Sequence, residues 1–491
     1  MKLDDILRDV PLVRLSGSSQ VDIRGIAYAS GRVSPGWLFA ALKGLKQDGL
    51  DFVPEAVKNG ATAVLCDRPK PRQVNAVWAE VPDARLALAL ASANFSDHPS
   101  RRLTVVGVTG TKGKTTVTHI LESILLEAGF RPGVIGTIAY RGPGITEAAD
   151  RTTPEAPDIQ RLLRLMLDAG ATHALLEVSS HALDLKRVWA VQFDAAIFTN
   201  LSGEHMDYHV SMEEYFEAKK KLFFLNTKKQ TAVVNIDDPY GRRLLDELPM
   251  KTITFGCGPQ ALVRAAHSVF DRQGLRLTVD YPGGRAEVVS SLMGRHNLYN
   301  ILAAFSTGLA LNLPLPGILA GIAALRGVPG RLESVDNDRG LMIFVDYAHT
   351  DSALRHLLET ARGLEAGRVI LVFGAGGDRD RSKRERMGEA AADLADWTFV
   401  TSDNPRSEDP ASILTDIEKG FLKKNGKNYA LLADRREAIA QALSLARKGD
   451  IVLVAGKGHE AYQEIKGVRH PFSDVAVIRE LLGLEKKPSH G

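Results

Sequence analysis

A run of nine residues carries the first recognisable chemistry in this chain. Val108-Thr109-Gly110-Thr111-Lys112-Gly113-Lys114-Thr115-Thr116 lies between an apolar run at 103–107 and a helix-spaced apolar pattern that begins at Val117. In that context a glycine-rich turn points backbone N–H groups at an anion held on a helix N-terminus. Gly110, Thr111, Lys112, Gly113, Lys114, Thr115 and Thr116 are therefore expected to bind a nucleoside triphosphate. Lys114 would reach the β- and γ-phosphates, and the Thr115 hydroxyl would help to hold Mg²⁺. The general pattern wants glycine where Val108 stands, so the match is a variant straddled by Gly107 and Gly110. A plain glycine turn is the competing reading, and Gly-Lys-Thr-Thr in this position weighs against it.

Two later runs end in polar clusters. One reads Leu176-Glu177-Val178-Ser179-Ser180-His181, and the other runs from Phe198 through Thr199, Asn200 and Glu204-His205 to Tyr208-His209. Such clusters at the ends of parallel strands face the crevice where ligands bind. Glu177 and His205 could each ligate a hard cation, although a His-rich loop is often only a loop. Other motifs fail. Gly374-Ala375-Gly376-Gly377-Asp378-Arg379 has arginine where a dinucleotide loop needs a small residue, and His459-Glu460 lacks the second histidine of a zinc helix because Gln463 stands there. Ser179-Ser180-His181 lacks the glycines of a nucleophile elbow.

The elements that must position these residues follow from the pattern. Short β-branched runs at 103–107, 173–177, 195–199, 231–235, 369–373 and 451–455 suit strands buried on both faces. After the first, Val117, Ile120, Leu121, Ile124 and Leu125 repeat at helical spacing, with Gly129 as the expected C-cap. The fold class is α/β, with mainly parallel sheets. At about 150 residues per domain, 491 residues make roughly three domains. Proline- and glycine-bearing breaks at 98–102 and 327–331 divide the chain into 1–102, 103–331 and 332–491.

Composition removes other classes. Sixty-two basic against 59 acidic residues leave a net charge of +3, too small to make nucleic acid the default partner. Short basic clusters such as Lys219-Lys220-Lys221 read as solvated faces. Two cysteines, Cys66 and Cys257, exclude a disulfide scaffold and suit a reducing compartment. The acidic N-terminus breaks any signal-peptide core, and no stretch approaches the roughly 18 apolar residues of a membrane span, so a cytoplasmic location is expected.

Taken in order along nearly the whole chain, the motifs resemble the Mur ligase family. The carrying residues are 110–116, Glu177-Val178-Ser179-Ser180-His181, Phe198-Thr199-Asn200-Leu201-Ser202 with His205, Gly294-Arg295-His296-Asn297 with Asn300, Pro329-Gly330-Arg331, Asp346-Tyr347-Ala348-His349-Thr350 and Asp403-Asn404-Pro405-Arg406. The resemblance implies three domains: an N-terminal UDP-binding domain, a central ATPase domain and a C-terminal Rossmann-like domain. It further implies an ATP-dependent ligase of peptidoglycan precursor synthesis that works through an acyl phosphate. The branch it looks most like adds meso-diaminopimelate to UDP-N-acetylmuramoyl-L-alanyl-D-glutamate, and a monomer is expected.

By the same resemblance, Lys114, Glu177, His205 and Lys219 are catalytic. Lys219 matches a lysine carried as an N-carboxylated side chain, which would hold Mg²⁺ with Thr115, Glu177 and His205. Asn297, Arg331, Asp346 and Tyr347 match nucleotide contacts, the last two supplied by the C-terminal domain, which implies domain closure before chemistry. Tyr28, Ser30, Leu45, Lys46, Gln47, Thr152, Thr153, Ser179 and Arg187 match UDP-sugar contacts. Arg379, Asp403, Asn404, Pro405, Arg406, Gly456 and Glu460 match diaminopimelate contacts, with Arg406 suited to the distal carboxylate and Glu460 to the distal ammonium. Three departures stand out: Ala29-Ser30-Gly31 in place of Asp-Ser-Arg, Glu204 in place of Asp, and Thr350-Asp351-Ser352 in place of Thr-Pro-Asp. Alternatives at this point are a sister ligase (adding L-lysine or a terminal dipeptide, or a folylpolyglutamate synthase) and a non-catalytic nucleotide-binding scaffold.

Overall fold

The computed structural model describes residues 1–44, 47–203, 208–225, 230–271, 273–364 and 367–484. Leu45, Lys46, Glu204 and His205 lie outside them. The apolar runs form three sheets with helices between the strands, plus a small hairpin.

In the first sheet Arg14–Ser16, Val77–Glu80, Ala61–Cys66, Trp37–Ala41 and Gly25–Ala27 pair in that order, parallel except for the Arg14–Ser16 edge. The heart of the second is six parallel strands in the order Pro132–Ile135, His173–Glu177, Thr104–Thr109, Ala195–Phe198, Thr231–Asn235 and Thr252–Gly256. Val108 pairs with both Glu177 and Ile197 and is fully buried. That corrects the expectation for the phosphate loop: Val108 is a strand residue, and the turn starts at Gly110. Because the strands are parallel, their C-terminal ends share one edge. Glu177, Thr109 and Phe198 all end there.

The helix Lys114–Glu127 buries Val117, Ile120, Leu121, Ile124 and Leu125 completely, as the spacing predicts. Gly129 stands one residue past the Ala128 C-cap, at φ +83°. Its N–H bonds Leu126 O and the Phe130 N–H bonds Leu125 O, which closes the last turn in a Schellman arrangement.

The third sheet runs Glu333–Ser334, Met342–Asp346, Ile451–Ala455, Val369–Phe373, Trp397–Val400 and Tyr429–Leu431, parallel except at the Glu333–Ser334 edge. Apolar clusters cover both of its faces, one built on Leu371 and Leu453, the other on Ile370 and Val452. Continuous apolar strands need this double cover.

The chain divides into two compact units. One comprises Met1–His267, Thr278–Val288 and Leu298–Ala324; the other comprises Ser268–Leu277, Val289–Asn297 and Leu325–Gly491. The first holds the phosphate loop, and the second holds the Asp403–Arg406 segment. Among the described residues no helix is long and apolar enough to cross a membrane.

Candidate active site

The turn between Thr104–Thr109 and Lys114–Glu127 demands its glycines. Gly110 lies at φ +146° and Gly113 at φ +90°, conformations that L side chains rarely adopt. A Cβ on Gly110 would strike the Thr199 hydroxyl, and one on Gly113 would strike the Asn300 amide oxygen. Neighbouring strand ends fix the turn. Thr199 donates its hydroxyl to Lys112 O at 2.7 Å, and the Asn200 side chain accepts from Lys112 N at 3.0 Å. The Lys114 ammonium folds back on the carbonyls of Gly110 (2.8 Å) and Thr111 (3.0 Å), holding its charge over the loop.

Glu177 is the hub of this unit. Only 1% exposed, it accepts the Thr115 hydroxyl at 2.9 Å, the Thr137 N–H at 2.9 Å and the Thr137 hydroxyl at 2.9 Å. Thr137 in turn meets the Thr152 hydroxyl at 3.0 Å. Thr153 donates to the Glu177 carbonyl at 2.7 Å and accepts from Ser179 N at 3.1 Å. Arg187 reaches Thr153 O at 2.9 Å and pairs with Glu155 at 2.9 Å. One carboxylate thus links the phosphate-loop threonine to the Thr152–Thr153 pair that the sequence assigns to the sugar substrate. Because the Thr115 proton is given to Glu177, the hydroxyl lone pairs are left for another partner.

On the helix Met212–Phe224, Lys219 is 1% exposed, so the solvated-face reading of the lysine cluster fails at this residue. Its ammonium bonds Gly110 O at 2.9 Å and lies 4.4 Å from the Tyr215 ring centroid. The Tyr215 hydroxyl meets Thr111 Oγ1 at 3.3 Å, and His209 stacks on the ring at 4.9 Å while contacting Ser180 Oγ at 3.0 Å. Burial pushes the His209 imidazole below its usual pKa. His209 of the second polar cluster and Asn300 of the family motif lie in the site, together with Tyr215, which the sequence reading does not single out.

Tyr28 donates to Asp158 at 2.7 Å, and burial followed by this carboxylate drives its phenol well above the usual range. Ser30 bonds Glu55 at 2.7 Å. Nothing lies within 4 Å of a Cβ at Gly31, but the neighbouring Arg32 approaches the Tyr28 hydroxyl at 3.4 Å. Of the 45–47 segment only Gln47 is described; its carbonyl accepts from Gly44 N at 2.9 Å.

In the second unit, Asp346 accepts from Leu332 N (2.7 Å) and Ala348 N (2.8 Å), and burial pushes its carboxyl up. Arg331 packs over the Tyr347 ring at 5.2 Å, and burial raises that phenol to about 12. Burial, aided by the Arg331 charge, pushes His459 beside them down to about 4. Asn297 anchors to Met293 O at 2.6 Å. Thr350 caps the helix Asp351–Arg362 by accepting from Ala353 N at 3.3 Å, so Thr350-Asp351-Ser352 is a working helix start.

Asp403, Asn404, Pro405 and Arg406 follow the strand Trp397–Val400. The loop after Val369–Phe373 lies against them: Gly377 N bonds Asn404 O at 2.9 Å, and Arg406 donates to Gly377 O at 2.7 Å. The Arg406 Nε sits 3.6 Å from Glu464. Gly456, at φ +114°, has to lack a side chain, since a Cβ would lie 2.5 Å from an Asp403 oxygen. Asn404 donates to Glu460 at 2.8 Å. An Arg379 carbon is the second-nearest neighbour of a Cβ at Gly376, after an Arg406 nitrogen. The structure therefore brings together all seven residues assigned to the amino acid. It adds Lys457 and Arg435, which the sequence reading missed.

A phosphate loop and a buried carboxylate at one sheet edge, with a separate parallel-sheet unit bearing an acid–amide–lysine cluster, define a nucleotide-dependent group-transfer enzyme. The chain belongs to the Mur ligase family. Family models described as "Mur ligase family, catalytic domain", "Mur ligase middle domain" and "Mur ligase, glutamate ligase domain" match residues 22–95, 108–308 and 330–458. The chain is similar to the UDP-N-acetylmuramoyl-L-alanyl-D-glutamate–2,6-diaminopimelate ligases of Solibacter usitatus (44% identity, covering 98% of each chain) and Geobacter metallireducens (43%, covering 98% of this chain and 99% of the relative). A solved structure of an enzyme of that name superposes with TM-score 0.71 at 32% identity, covering 99% of each chain.

Proposed function

We infer that this chain is an ATP-dependent amide ligase that joins meso-diaminopimelate to UDP-N-acetylmuramoyl-L-alanyl-D-glutamate in peptidoglycan precursor synthesis. The observation that carries the reading is the Glu177 hub. It holds Thr115 of the phosphate loop and, through Thr137, Thr152 at hydrogen-bond distance, so nucleotide and phosphoryl-accepting carboxylate would meet around one side chain.

The chemistry follows from those positions. The D-glutamyl γ-carboxylate attacks the γ-phosphorus and ADP leaves; the amino group of diaminopimelate then attacks the acyl carbon, expelling inorganic phosphate and losing a proton as the amide forms. Two anions approach each other in the first step, so fixed positive charge and N–H groups at the loop are the main requirement. Lys114 supplies the charge, and Gly110 and Gly113 let the backbone come close. The donor set suits Mg²⁺. Thr115 and Glu177 offer hard oxygens, and Mg²⁺ commonly takes one or two carboxylates plus substrate phosphates and waters, so no cluster of three acidic or histidine ligands is required. Thr115 and Glu177, with His205 and a carboxylated Lys219, would hold the ion, which when bound neutralises charge on the transferred phosphate. Asn297, Arg331, Asp346 and Tyr347 complete the nucleotide contacts in this reading.

Tyr28, Ser30, Leu45, Lys46, Gln47, Thr152, Thr153, Ser179 and Arg187 serve the UDP-sugar, and Arg379, Asp403 to Arg406, Gly456 and Glu460 serve diaminopimelate. The same reading takes 1–102, 103–331 and 332–491 as the UDP-binding, ATPase and amino-acid-binding domains of a cytoplasmic monomer. The deciding experiment is ADP release with the UDP-dipeptide and a panel of amino acids. Release that requires both the UDP-dipeptide and diaminopimelate supports the reading. Release with tetrahydrofolate and glutamate, with L-lysine at comparable efficiency, or with neither substrate overturns it.

A further inference from the structure

Lys457 is buried to 0% exposure, yet it sits among the residues assigned to the amino acid. Its ammonium donates to Asn404 Oδ1 at 3.2 Å and to Glu460 Oε2 at 3.3 Å, and it lies 3.9 Å from Asp403. Asn404 Nδ2 donates to the same Glu460 oxygen at 2.8 Å, while its Oδ1 also accepts from Glu464 N at 2.9 Å. Asn404, Lys457 and Glu460 therefore close a three-membered ring of hydrogen bonds. All of the side-chain bonds to Glu460 fall on Oε2; among the described residues Oε1 accepts none.

A cation fully out of water persists only where charge and hydrogen bonds compensate it. Here they do, and the arrangement has a direction. Two donors grip one oxygen of Glu460 and fix the plane of the carboxylate, leaving the other oxygen with its lone pairs available. The Lys457 ammonium offsets acidic charge on both sides of it, at Glu460 and at Asp403. Without Lys457, half-buried Glu460 would keep only its single amide bond, from Asn404.

We propose that Lys457 is a positioning and specificity residue. It holds Glu460 so that Oε1 faces the distal ammonium of the incoming amino acid. The proposal rests on the diaminopimelate reading above. It predicts which part of the ligand is sensed through Lys457: the distal amine, not the distal carboxylate and not the nucleotide.

The test uses the full-length enzyme with Lys457→Met and Lys457→Gln, assayed for KM and kcat with diaminopimelate and with 2-aminopimelate, which lacks the distal amine. Lys457→Met is expected to raise KM for diaminopimelate at least tenfold. KM for ATP and the UDP-dipeptide should stay within twofold, and KM for 2-aminopimelate should barely change, so the preference for the second amine collapses. Lys457→Gln, which keeps a donor for Asn404 without the charge, should fall between. Equal loss on both amino acids, an unchanged diaminopimelate KM, or failure of both variants to fold would overturn the proposal, the last because the lysine would then be a fold element. A wild-type enzyme that does not turn over diaminopimelate would instead overturn the underlying reading.

Discussion

Replacing Glu177 with glutamine should separate the fold from the chemistry, because the hydrogen bonds at the two carboxylate oxygens differ. Oε1 accepts a backbone N–H, from Thr137, which cannot turn round. Oε2 accepts two hydroxyls, from Thr115 and Thr137, which can. Glutamine can keep its oxygen on the Thr137 N–H and point its amide at hydroxyls that rotate to accept. What is lost is the charge in bonds to neutral donors, so the stability cost is about 1–3 kcal/mol, a few degrees in Tm. The chemical cost is larger. The Thr115 lone pair that faced outward now accepts from the amide, and the anion that would help to hold Mg²⁺ is gone. Electrostatic losses of this kind run to roughly 10²–10³ in kcat. Coupled ADP release at saturating substrates, beside a thermal melt of the same preparation, measures both. A folded Glu177→Gln enzyme within tenfold of wild-type kcat would refute the hub as the centre of phosphoryl transfer.

Four further expectations are open to direct measurement. Lys114→Ala should lose roughly 10²–10³ in turnover, since it removes the charge held over Gly110 and Thr111; ADP release reports it. Lys219→Ala should be nearly inactive and partly rescued by a short carboxylic acid. The wild type should weaken in bicarbonate-free, mildly acidic buffer, and intact mass under native conditions checks the adduct. Arg406→Ala should erase the preference for diaminopimelate over L-lysine, which a site with a matched charge partner can raise to about 10⁴–10⁵, read as the ratio of kcat/KM values. Acid unfolding should depend on Glu408, which the Arg384 guanidinium pulls down to about 2. A depressed carboxyl stabilises fully above the ordinary carboxylate range and loses that contribution as pH falls toward 2, so Arg384→Met should flatten this limb of a pH–stability curve.

The strands and the phosphate loop were legible because their signals are local. A β-branched run, a glycine turn and a helical stripe each lie within about twenty residues, and the structure departs from them only at ends, as where Val108 pairs into the sheet. The Asp403–Arg406 segment was legible only as a family motif. Lys457 and Arg435 were not legible as site residues. Each is a single residue whose meaning comes from a partner far along the chain: Lys457 meets Asn404 across 53 positions and Arg435 meets Asp474 across 39. No spacing rule reaches that far. Lys219 shows the reverse error, since three lysines in a row suggest solvent while the helix turns the first of them inward.

Arg435 and Asp474 are both fully buried and joined by two bonds, at 2.8 and 2.7 Å. The same guanidinium also donates to Ser402 O and Ala455 O, the carbonyls just before Asp403 and Gly456. Two stretches of sequence that the proposed function assigns to the amino acid thus hang from one arginine. Variation in one stretch is transmitted to the other, so the two should drift as a block. A lineage that exchanged one third residue for another could not do so by rewriting 403–406 alone: the 456–460 segment and the buried pair would have to change with it, and chimaeras that transplant only one of these pieces should bind neither amino acid well.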